Sequence, residues 1–533
     1  MCRVLLSPPI ANNVENCSIT TLFCGFEYIN VVFVKNLCVN ISELENEIKQ
    51  NFFFSDDLVC RPICTSGKNA LVVFLDGGVD KTLLDRDVIA PLVRAKKERS
   101  ANSETSDDSA GQDDKDIACQ SEIEAILKAN TFYAEGFSAT DFRSVPQRVA
   151  DGDVAIIFED CEHAYIFSIR SPEKRATTEP PTESVMKGPR EGFIEEIKSN
   201  LSLVRRRIKS PALTVKMLKV GKYSQTSVAV LHLSGVADEH VVKEITDKIS
   251  SIDIDGVIDS AYVLSYLRPQ KHSFFLQAGS SEKPDVVSAK LLEGRVAVLV
   301  DGSPIVITLP YLMFEDVQDG YDYYSEDWRA SIIRLFRLFG ALMTVILPGA
   351  YVALQTYHFQ LLPLKFLTTL LAATNGIPFP PAIEMLIVLA LFEILNQASI
   401  RMPRYFGISL SVVGAIVLGD TAVKSGLISS PSVLVIALSA IGIFCVPDQV
   451  GVMSILRLLF LLVSAVLGFV GIVILLIVII AYLAGLDNYG TPYLAPYAPR
   501  INPDLKDGFL KVATTGMDTR PYSIPTSNRT RQK

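Results

Sequence analysis

Polar and ionisable side chains recur inside an apolar stretch, residues 407–426, which reads GISLSVVGAIVLGDTAVKSG. A helix would place four of its residues on one face, because they follow steps of three and four: Ser411, Gly414, Leu418 and Thr421. Asp420 and Lys424 are four residues apart and can form an ion pair on the same helix. Ionisable groups inside a bilayer are costly and indicate either an ion path or an internal pair.

Two interpretations of this segment remain open. Faces made of small residues commonly let membrane helices pack closely without any pore, and the residue types alone favour that interpretation. If the face instead lines a pore, Leu418 would be an apolar gate that closes by dewetting. Asp420 would then supply a ring of negative charge that selects cations.

Two further carboxylates lie in the preceding apolar stretch, EMLIVLALFEIL. Glu384 and Glu393 are nine residues apart and therefore only roughly cofacial on a helix. They could bind or conduct cations. The alternative, which we favour, is that they pair with Arg401 or Arg404 of a neighbouring subunit.

The elements that carry these residues belong to a membrane domain. The chain has 533 residues, of which 49% are hydrophobic, and its mean hydropathy of +0.31 is high for a soluble protein. The apolar excess is confined to residues 341–486, so the sequence predicts a soluble N-terminal half followed by membrane helices. The predicted helices include one short re-entrant segment: 332–356, 361–374 (re-entrant), 380–398, 407–426, 431–446 and 457–486, the last as one long tilted span.

The predicted sides of the membrane conflict. Aromatic residues and arginines before the first span, at 321–337, put the soluble half in the cytosol, and no secretory signal precedes it. Five full crossings would leave the C-terminal tail outside. Residues 500–533 nevertheless carry seven Lys or Arg against three Asp, which favours the cytosol, so the number of crossings stays open.

The soluble half contains a repeat. Residues 71–84 match 228–242 at an offset of 158 residues, and 150–167 match 292–309 at an offset of 142. The difference is close to the length of an acidic run at 98–116, which we predict to be a disordered loop inserted into the first copy. Each copy would be a small α/β unit of a strand, a helix, an intervening strand, another helix and a terminal hairpin.

Residues 186–211 connect the two copies. Apolar residues recur there at helical spacing, and the basic residues Arg205, Arg206 and Arg207 complement the dipole at the helix end. This basic run would meet anionic lipid, a neighbouring subunit or water. A nucleic-acid partner is disfavoured, because the net charge is −8 and aromatic residues are not interleaved with the basic ones. No phosphate-binding, metal-ligand or catalytic motif is present, so we expect no cofactor, no metal and no enzyme activity.

Several ordered motifs resemble a known family. KGPREGF, VAVLVDGSP, GIPFPPAIE, FEILNQASIRMPRYFG and GAIVLGDTAV are similar to the A subunits of GerA-type bacterial spore germination receptors, over about residues 41–520. The resemblance implies a nutrient receptor of the spore inner membrane, with the soluble domain on the cytosolic (core) side. It implies two partner subunits: a transporter-like B subunit that holds the germinant and a lipoprotein C subunit. The A subunit would form an oligomeric, pentameric channel for monovalent cations, in contact with membrane lipid, or else a non-conducting scaffold that relays the signal. The resemblance favours pore lining over tight packing for residues 407–426. It also motivates a gating hypothesis, in which the linker helix ending at Arg205, Arg206 and Arg207 connects the two repeats and transmits the opening movement. Reversing the charge of those three arginines should then shift the nutrient dose response.

The predicted organisation has six parts. They are an atypical extension (1–40), a first α/β subdomain (41–185), an amphipathic linker helix (186–211), a second α/β subdomain (212–320), a transmembrane domain of four to five spans (321–487) and a basic tail (488–533).

Overall fold

The computed structural model describes residues 41–65, 68–94, 112–132, 136–159, 161, 163–170, 180, 183, 187–401 and 420–531. Its N-terminal part contains two five-stranded antiparallel sheets of the same strand order, β1-β2-β4-β5-β3 and β6-β7-β9-β10-β8. The first sheet comprises β1 (Leu58–Thr65), β2 (Lys68–Leu75), β3 (Ser138–Asp141), β4 (Val154–Phe158) and β5 (His163–Phe167). The second comprises β6 (Leu213–Val220), β7 (Thr226–Leu233), β8 (Gly279–Ser281), β9 (Val296–Val300) and β10 (Val306–Leu309).

The repeat predicted from the sequence holds at the level of strand register. Val72 pairs with Ile156 in the first sheet, and Val230 pairs with Val298 in the second. These two pairs are related by the offsets of 158 and 142 residues. The fold class predicted for the soluble region, two repeated α/β units, is therefore confirmed. The edge strands β1 and β6 were missed, since neither lies in the repeated segments.

Helices cover both faces of each sheet. In the first unit they are α1 (Ile41–Asn51), α2 (residues 81–94, with a π-helical turn at Leu84–Ile89), α3 (Gln112–Asn130) and α4 (Val145–Ala150). We predicted residues 98–116 as a loop, but helix α3 covers residues 112–116 of that interval. Residues 98–111 lie outside the described residues. In the second unit they are α6 (Glu239–Ser250), α7 (Ser260–Leu267) and α8 (Pro284–Leu292).

The linker helix α5 is shorter than predicted and spans Ile197–Arg207. Residues 187–196 are not helical, so the predicted helix over 186–211 is correct only in its second half. Its apolar face joins the core of the second unit, where Leu201 and Val204 pack with Leu231 and Leu299. The linker is thus part of the second subdomain.

The C-terminal part is helical. After a short helix α9 (Gly320–Tyr323), the main helices are α10 (Asp327–Thr356), α11 (Leu364–Thr374), α12 (Pro381–Arg401), α13 (Ser430–Gly442) and α14 (Val450–Ala484). Within the described residues, three helical segments are long and apolar enough to cross a membrane: 327–356, 381–398 and 447–484. The α-helical membrane domain predicted from the sequence agrees with these helices, and α11 corresponds to the short segment predicted as re-entrant.

Helix α14 reverses direction at Gly468. That residue has φ +60° and ψ −144°, a backbone conformation available essentially only to glycine. Leu456 before the turn and Ile479 after it share one apolar cluster, as two antiparallel arms require. The Tyr357 hydroxyl donates to the carbonyl oxygen of Ala465 at 2.8 Å, so it satisfies a backbone group freed at the turn.

Both ends of α14 contact the same short segment of the α/β region. The Gln449 side chain donates to Asp316 at 2.7 Å, and the Asn488 side chain donates to the carbonyl oxygen of Tyr311 at 3.0 Å. A straight helix of this length would separate its ends by about 50 Å. The predicted single tilted span at 457–486 is therefore wrong: residues 450–484 form a hairpin of two arms.

The hairpin resolves the conflict over the tail. Its second arm returns the chain to the side on which α10 begins, and the tail then packs on the second α/β unit. Ala237 and Thr526 form a β-bridge, and Arg520 donates to the carbonyl oxygen of Leu292 at 2.7 Å. The tail and the α/β region therefore lie on the same side of the apolar helices, as the charge of the tail indicated.

Candidate functional site

The described end of the 407–426 segment carries three exposed polar residues on one helical stretch, residues 420–424. Lys424 contacts Asp420 at 2.6 Å, which is the i,i+4 pair predicted from the sequence. Thr421 is exposed beside them. The other predicted pore and gate residues, Ser411, Gly414 and Leu418, lie outside the described residues.

Glu384 is buried at the first turn of α12. Its carboxylate accepts a hydrogen bond from the backbone N–H of Ser429 at 2.6 Å. Ser429 is the N-cap of α13, and its own side chain accepts from Ser432 N. An apolar environment offers no water to these N–H groups, so Glu384 and Ser429 together satisfy the start of α13.

Glu393 lies about two and a half turns beyond Glu384 on α12 and faces Arg457 of the hairpin at 3.3 Å. The Arg457 side chain is fully buried, lies over the ring of Phe392 and contacts the Ser439 hydroxyl at 3.4 Å. The interpretation that we favour from the sequence pairs these carboxylates with Arg401 or Arg404 of a neighbouring subunit. The partner found within this chain is Arg457, and Arg404 lies outside the described residues.

Small residues bring α10, α13 and α14 into close contact. A Cβ atom on Gly442 would lie 2.6 Å from the carbonyl oxygen of Gly340, and one on Gly349 would lie 2.9 Å from that of Phe460. The Ser439 hydroxyl donates to the carbonyl oxygen of Thr344 at 2.7 Å. Small-residue packing therefore holds together the helices that surround the Glu393–Arg457 pair.

The linker arginines differ in their surroundings. Arg205 is buried and forms a bidentate ion pair with Asp57 of the first unit, at 2.9 and 2.8 Å. Ser55 completes this contact by accepting from the backbone N–H of Val215 at 2.9 Å. Arg205 therefore joins the two α/β units, and none of the three predicted surroundings (lipid, another subunit or water) describes it.

Arg206 and Arg207 contact a single carboxylate, Glu191, at 2.6 and 2.7 Å. Arg206 is half-exposed, whereas Arg207 is mostly covered. The pKa of Glu191 is lowered by hydrogen bonds from both guanidinium groups, which outweigh the opposing effect of partial burial. The basic end of α5 is thus largely neutralised within this chain.

The base of α10 is tied to the tail by buried ion pairs. Arg334 is fully buried and contacts Asp322 at 3.0 Å and Asp507 at 2.8 Å. Arg337 also contacts Asp322, at 2.8 Å. Lys511 of the tail contacts Asp327 at 2.6 Å. Two of the arginines that indicate membrane orientation, Arg334 and Arg337, are therefore engaged in contacts within the chain.

Two carboxyl groups at the junction of the α/β region and the hairpin have raised pKa values. Burial raises the pKa of Asp316 to about 7, although hydrogen bonds from Tyr311 and Gln449 oppose the shift. Burial also raises the pKa of Glu183 to about 7, against the hydrogen bond that the Ser281 hydroxyl donates at 2.8 Å. Protonation near neutral pH would therefore change the charge of this junction.

Arg457, Asp322 and Asp507 were not predicted as site residues from the sequence. Arg457 lies at the start of the predicted span 457–486, and an arginine within an apolar run is itself a signal of an internal partner. Asp322 and Asp507 lie in polar stretches where nothing distinguishes them from solvated carboxylates.

Together, the duplicated α/β region, the apolar helices and the buried charges between them define a polytopic membrane protein with a large attached α/β domain. Residues 44–523 match the family model of the Bacillus/Clostridium GerA spore germination protein. The chain belongs to this GerA family, and its membership supports a role in spore germination. The description of the family names no enzymatic activity.

Individual relatives match over most of their length. The chain is 31% identical to spore germination protein KA of Bacillus subtilis (strain 168), over 94% of this chain and 89% of that protein. It is 29% identical to spore germination protein GerLA of Bacillus cereus, over 92% and 97% of the two chains. A crystal structure of the N-terminal domain of the A subunit of the Bacillus megaterium spore germinant receptor GerK3 matches with 27% identity and a TM-score of 0.38, covering 53% of this chain and 99% of that one.

Proposed function

We propose that this chain is the channel-forming A subunit of a nutrient receptor in the spore inner membrane, which opens to release monovalent cations. It would assemble as a homo-oligomer, as a pentamer in our hypothesis, with a B subunit that binds the germinant and a lipoprotein C subunit. The α/β region and the tail would face the spore core. Membership of the GerA family supports the proposed role in a germination receptor. The buried charges among the apolar helices support the proposed path for cations.

The observation that carries the proposal is the arrangement of α12. Helix α12 precedes the segment 402–419 in the chain and carries two carboxylates, of which Glu384 is buried and Glu393 is 36% exposed. Glu384 fixes the start of α13, and Glu393 pairs with Arg457 of the hairpin. A movement of the pore segment would thus be resisted by two polar contacts in a low-dielectric environment, where such contacts are strong. In this hypothesis Ser411, Gly414, Leu418 and Thr421 line the path and Asp420 selects cations.

The test measures potassium release from spores that carry Leu418→Ala, with and without nutrient. Leu427→Ala is a matched control, since Leu427 is exposed and lies just beyond the segment. We expect the gate variant to leak potassium without nutrient while the control stays dormant, with both proteins at normal level. Normal dormancy and normal nutrient-triggered release in Leu418→Ala would contradict the channel.

A second candidate function is a non-conducting scaffold that relays the signal. The close contacts at Gly442 and Gly349 favour it, because they are typical of helices that pack without a pore. Asp420→Asn tests the ion path: a changed cation selectivity supports the channel, whereas unchanged selectivity and conductance would show that Asp420 does not select cations.

A further inference from the structure

An apolar groove opens where the hairpin meets the second α/β unit. Its volume is about 580 Å³, within the range of sites that hold small organic ligands. One wall is the loop 270–275, and the other is formed by both arms of the hairpin. The wall of the hairpin is lined by Val452, Ile455, Leu456, Leu459, Val478, Ile479 and Tyr482.

The groove lies at the level where the apolar helices end. Tyr482 is two residues before the end of the second arm, and its ring lies 6.1 Å from that of Phe275. Phe274 beside it is 69% exposed. Tyrosine is enriched at the interface between headgroups and acyl chains, so the position of Tyr482 is consistent with that level of the bilayer.

The rim of the groove is basic. Lys271 and His272 line it and are exposed, and no ion pair to either is found among the described residues. None of the lining residues is acidic. A cationic group and a hydrogen-bond donor at the rim of an apolar groove are complementary to an amphipathic anion: the rim suits its negative headgroup, and the groove suits its apolar chain.

We propose that this groove binds one anionic phospholipid of the surrounding bilayer. An acyl chain lies in the groove between the hairpin and the loop 270–275, and the phosphate is bound by Lys271 and His272. The lipid fills the space between the membrane helices and the second α/β unit, so it bridges the two halves of the protein. The proposal does not depend on whether the chain conducts ions.

The test uses the full chain in phosphatidylcholine vesicles that contain a minor fraction of phosphatidylglycerol with a photoreactive acyl chain. After irradiation, labelled residues are mapped by mass spectrometry. We expect label on Ile455, Leu459 and Val478. Lys271→Gln should reduce this labelling about fivefold, the loss expected for one basic group near a membrane surface.

Lys243→Gln is the matched control, because Lys243 is an exposed lysine on α6 and does not line the groove. It should leave the labelling unchanged. Photoreactive phosphatidylcholine at the same fraction should give weak labelling that Lys271→Gln does not alter. Leu459→Trp, which fills the groove, should lower labelling by phosphatidylglycerol without removing Lys271.

Two results would overturn the proposal. One is labelling by phosphatidylglycerol that is equal in wild type and in Lys271→Gln. The other is a crosslink from Ile455→Cys to a second copy of the chain in these vesicles, since that copy would then occupy the groove.

Discussion

At the scale of single residues, the three linker arginines show that the role of a charge depends on which side of the helix it occupies. Arg205, Arg206 and Arg207 are adjacent and chemically identical. Arg205 lies on the covered side of α5 and meets Asp57, which is 148 residues away in sequence. The basic run is visible in the sequence, but the carboxylate that Arg205 meets belongs to another subdomain and could not be predicted.

We expect Arg205→Ala to destabilise the protein by about 3–5 kcal/mol, because it leaves the buried Asp57 carboxylate without its cation. Arg206→Ala should cost less than about 1 kcal/mol, since that pair is partly solvated. Urea unfolding of the full chain in detergent micelles measures both. Equal losses for the two variants would contradict the buried clamp between the α/β units.

The same contacts change the test of the gating hypothesis. Reversing the charge of all three arginines would break the clamp and affect folding as well as signalling. Arg206→Glu alone spares the Asp57 contact. We expect it to shift the nutrient dose response if the end of α5 transmits the signal, at a normal protein level; an unchanged response would remove Arg206 from that role.

Asp316 predicts a pH dependence of stability. The folded protein raises the pKa of this carboxyl from 3.8 to about 7, so folding favours the protonated form. Its contribution to stability is complete below about pH 4 and is lost as the pH rises through about 7. The thermal unfolding midpoint should therefore fall between about pH 5 and pH 8.

An amide at this position cannot ionise, so Asp316→Asn should make that fall smaller. Glu183, whose pKa is raised to about 7 as well, should account for part of what remains, and the variant with Glu183→Gln added should show the flattest profile. A wild-type midpoint that rises over this range would refute the assignment.

At the scale of elements, the α/β repeat was predictable and the hairpin was not. The repeat leaves matched residues at constant offsets, and the pairings Val72–Ile156 and Val230–Val298 follow them. The turn at Gly468 lies within an unbroken apolar run. Glycine is a turn signal, but Gly468 is one of several glycines in this run, and no polar residue or proline beside it marks the turn.

The hairpin makes a sharp prediction for two glycines of α14. Gly468→Ala forces a side chain into a conformation with positive φ and should destabilise the protein by about 1–3 kcal/mol. Gly451→Ala is the matched control, because nothing lies within 4 Å of a Cβ atom there and alanine favours a helix by roughly 0.5–1 kcal/mol. Thermal unfolding in micelles measures both; a neutral Gly468→Ala would mean that the chain does not turn at this residue.

At the scale of the whole molecule, the described helices set which ends share a side. The start of α10 and the end of α14 both contact the α/β region, whereas the loop between α11 and α12 lies at the opposite end of the helices. The charge of the tail predicts the same side as the α/β region, and the contacts of the tail agree with that. The number of passes was predicted wrongly from hydropathy, since one apolar run was counted as one span.

Epitope tags test this arrangement in intact and permeabilised membrane vesicles of one orientation. Tags after Tyr223, which is 85% exposed, and after Lys533 should be reached by antibody from the same side. A tag after Gly376, where a Cβ atom would meet open space, should be reached only from the other side. Opposite behaviour of the Tyr223 and Lys533 tags would contradict the hairpin.

The ion pair between Arg334 and Asp507 also constrains the order in which the protein is made. The two residues are 173 positions apart, so at about 5–20 residues per second the ribosome adds Asp507 roughly 10–35 s after Arg334. Until then the base of the first membrane helix has Asp322 but lacks the carboxylate that completes the site. The ion pairs at the base of α10 can therefore be completed only after the tail has been synthesised.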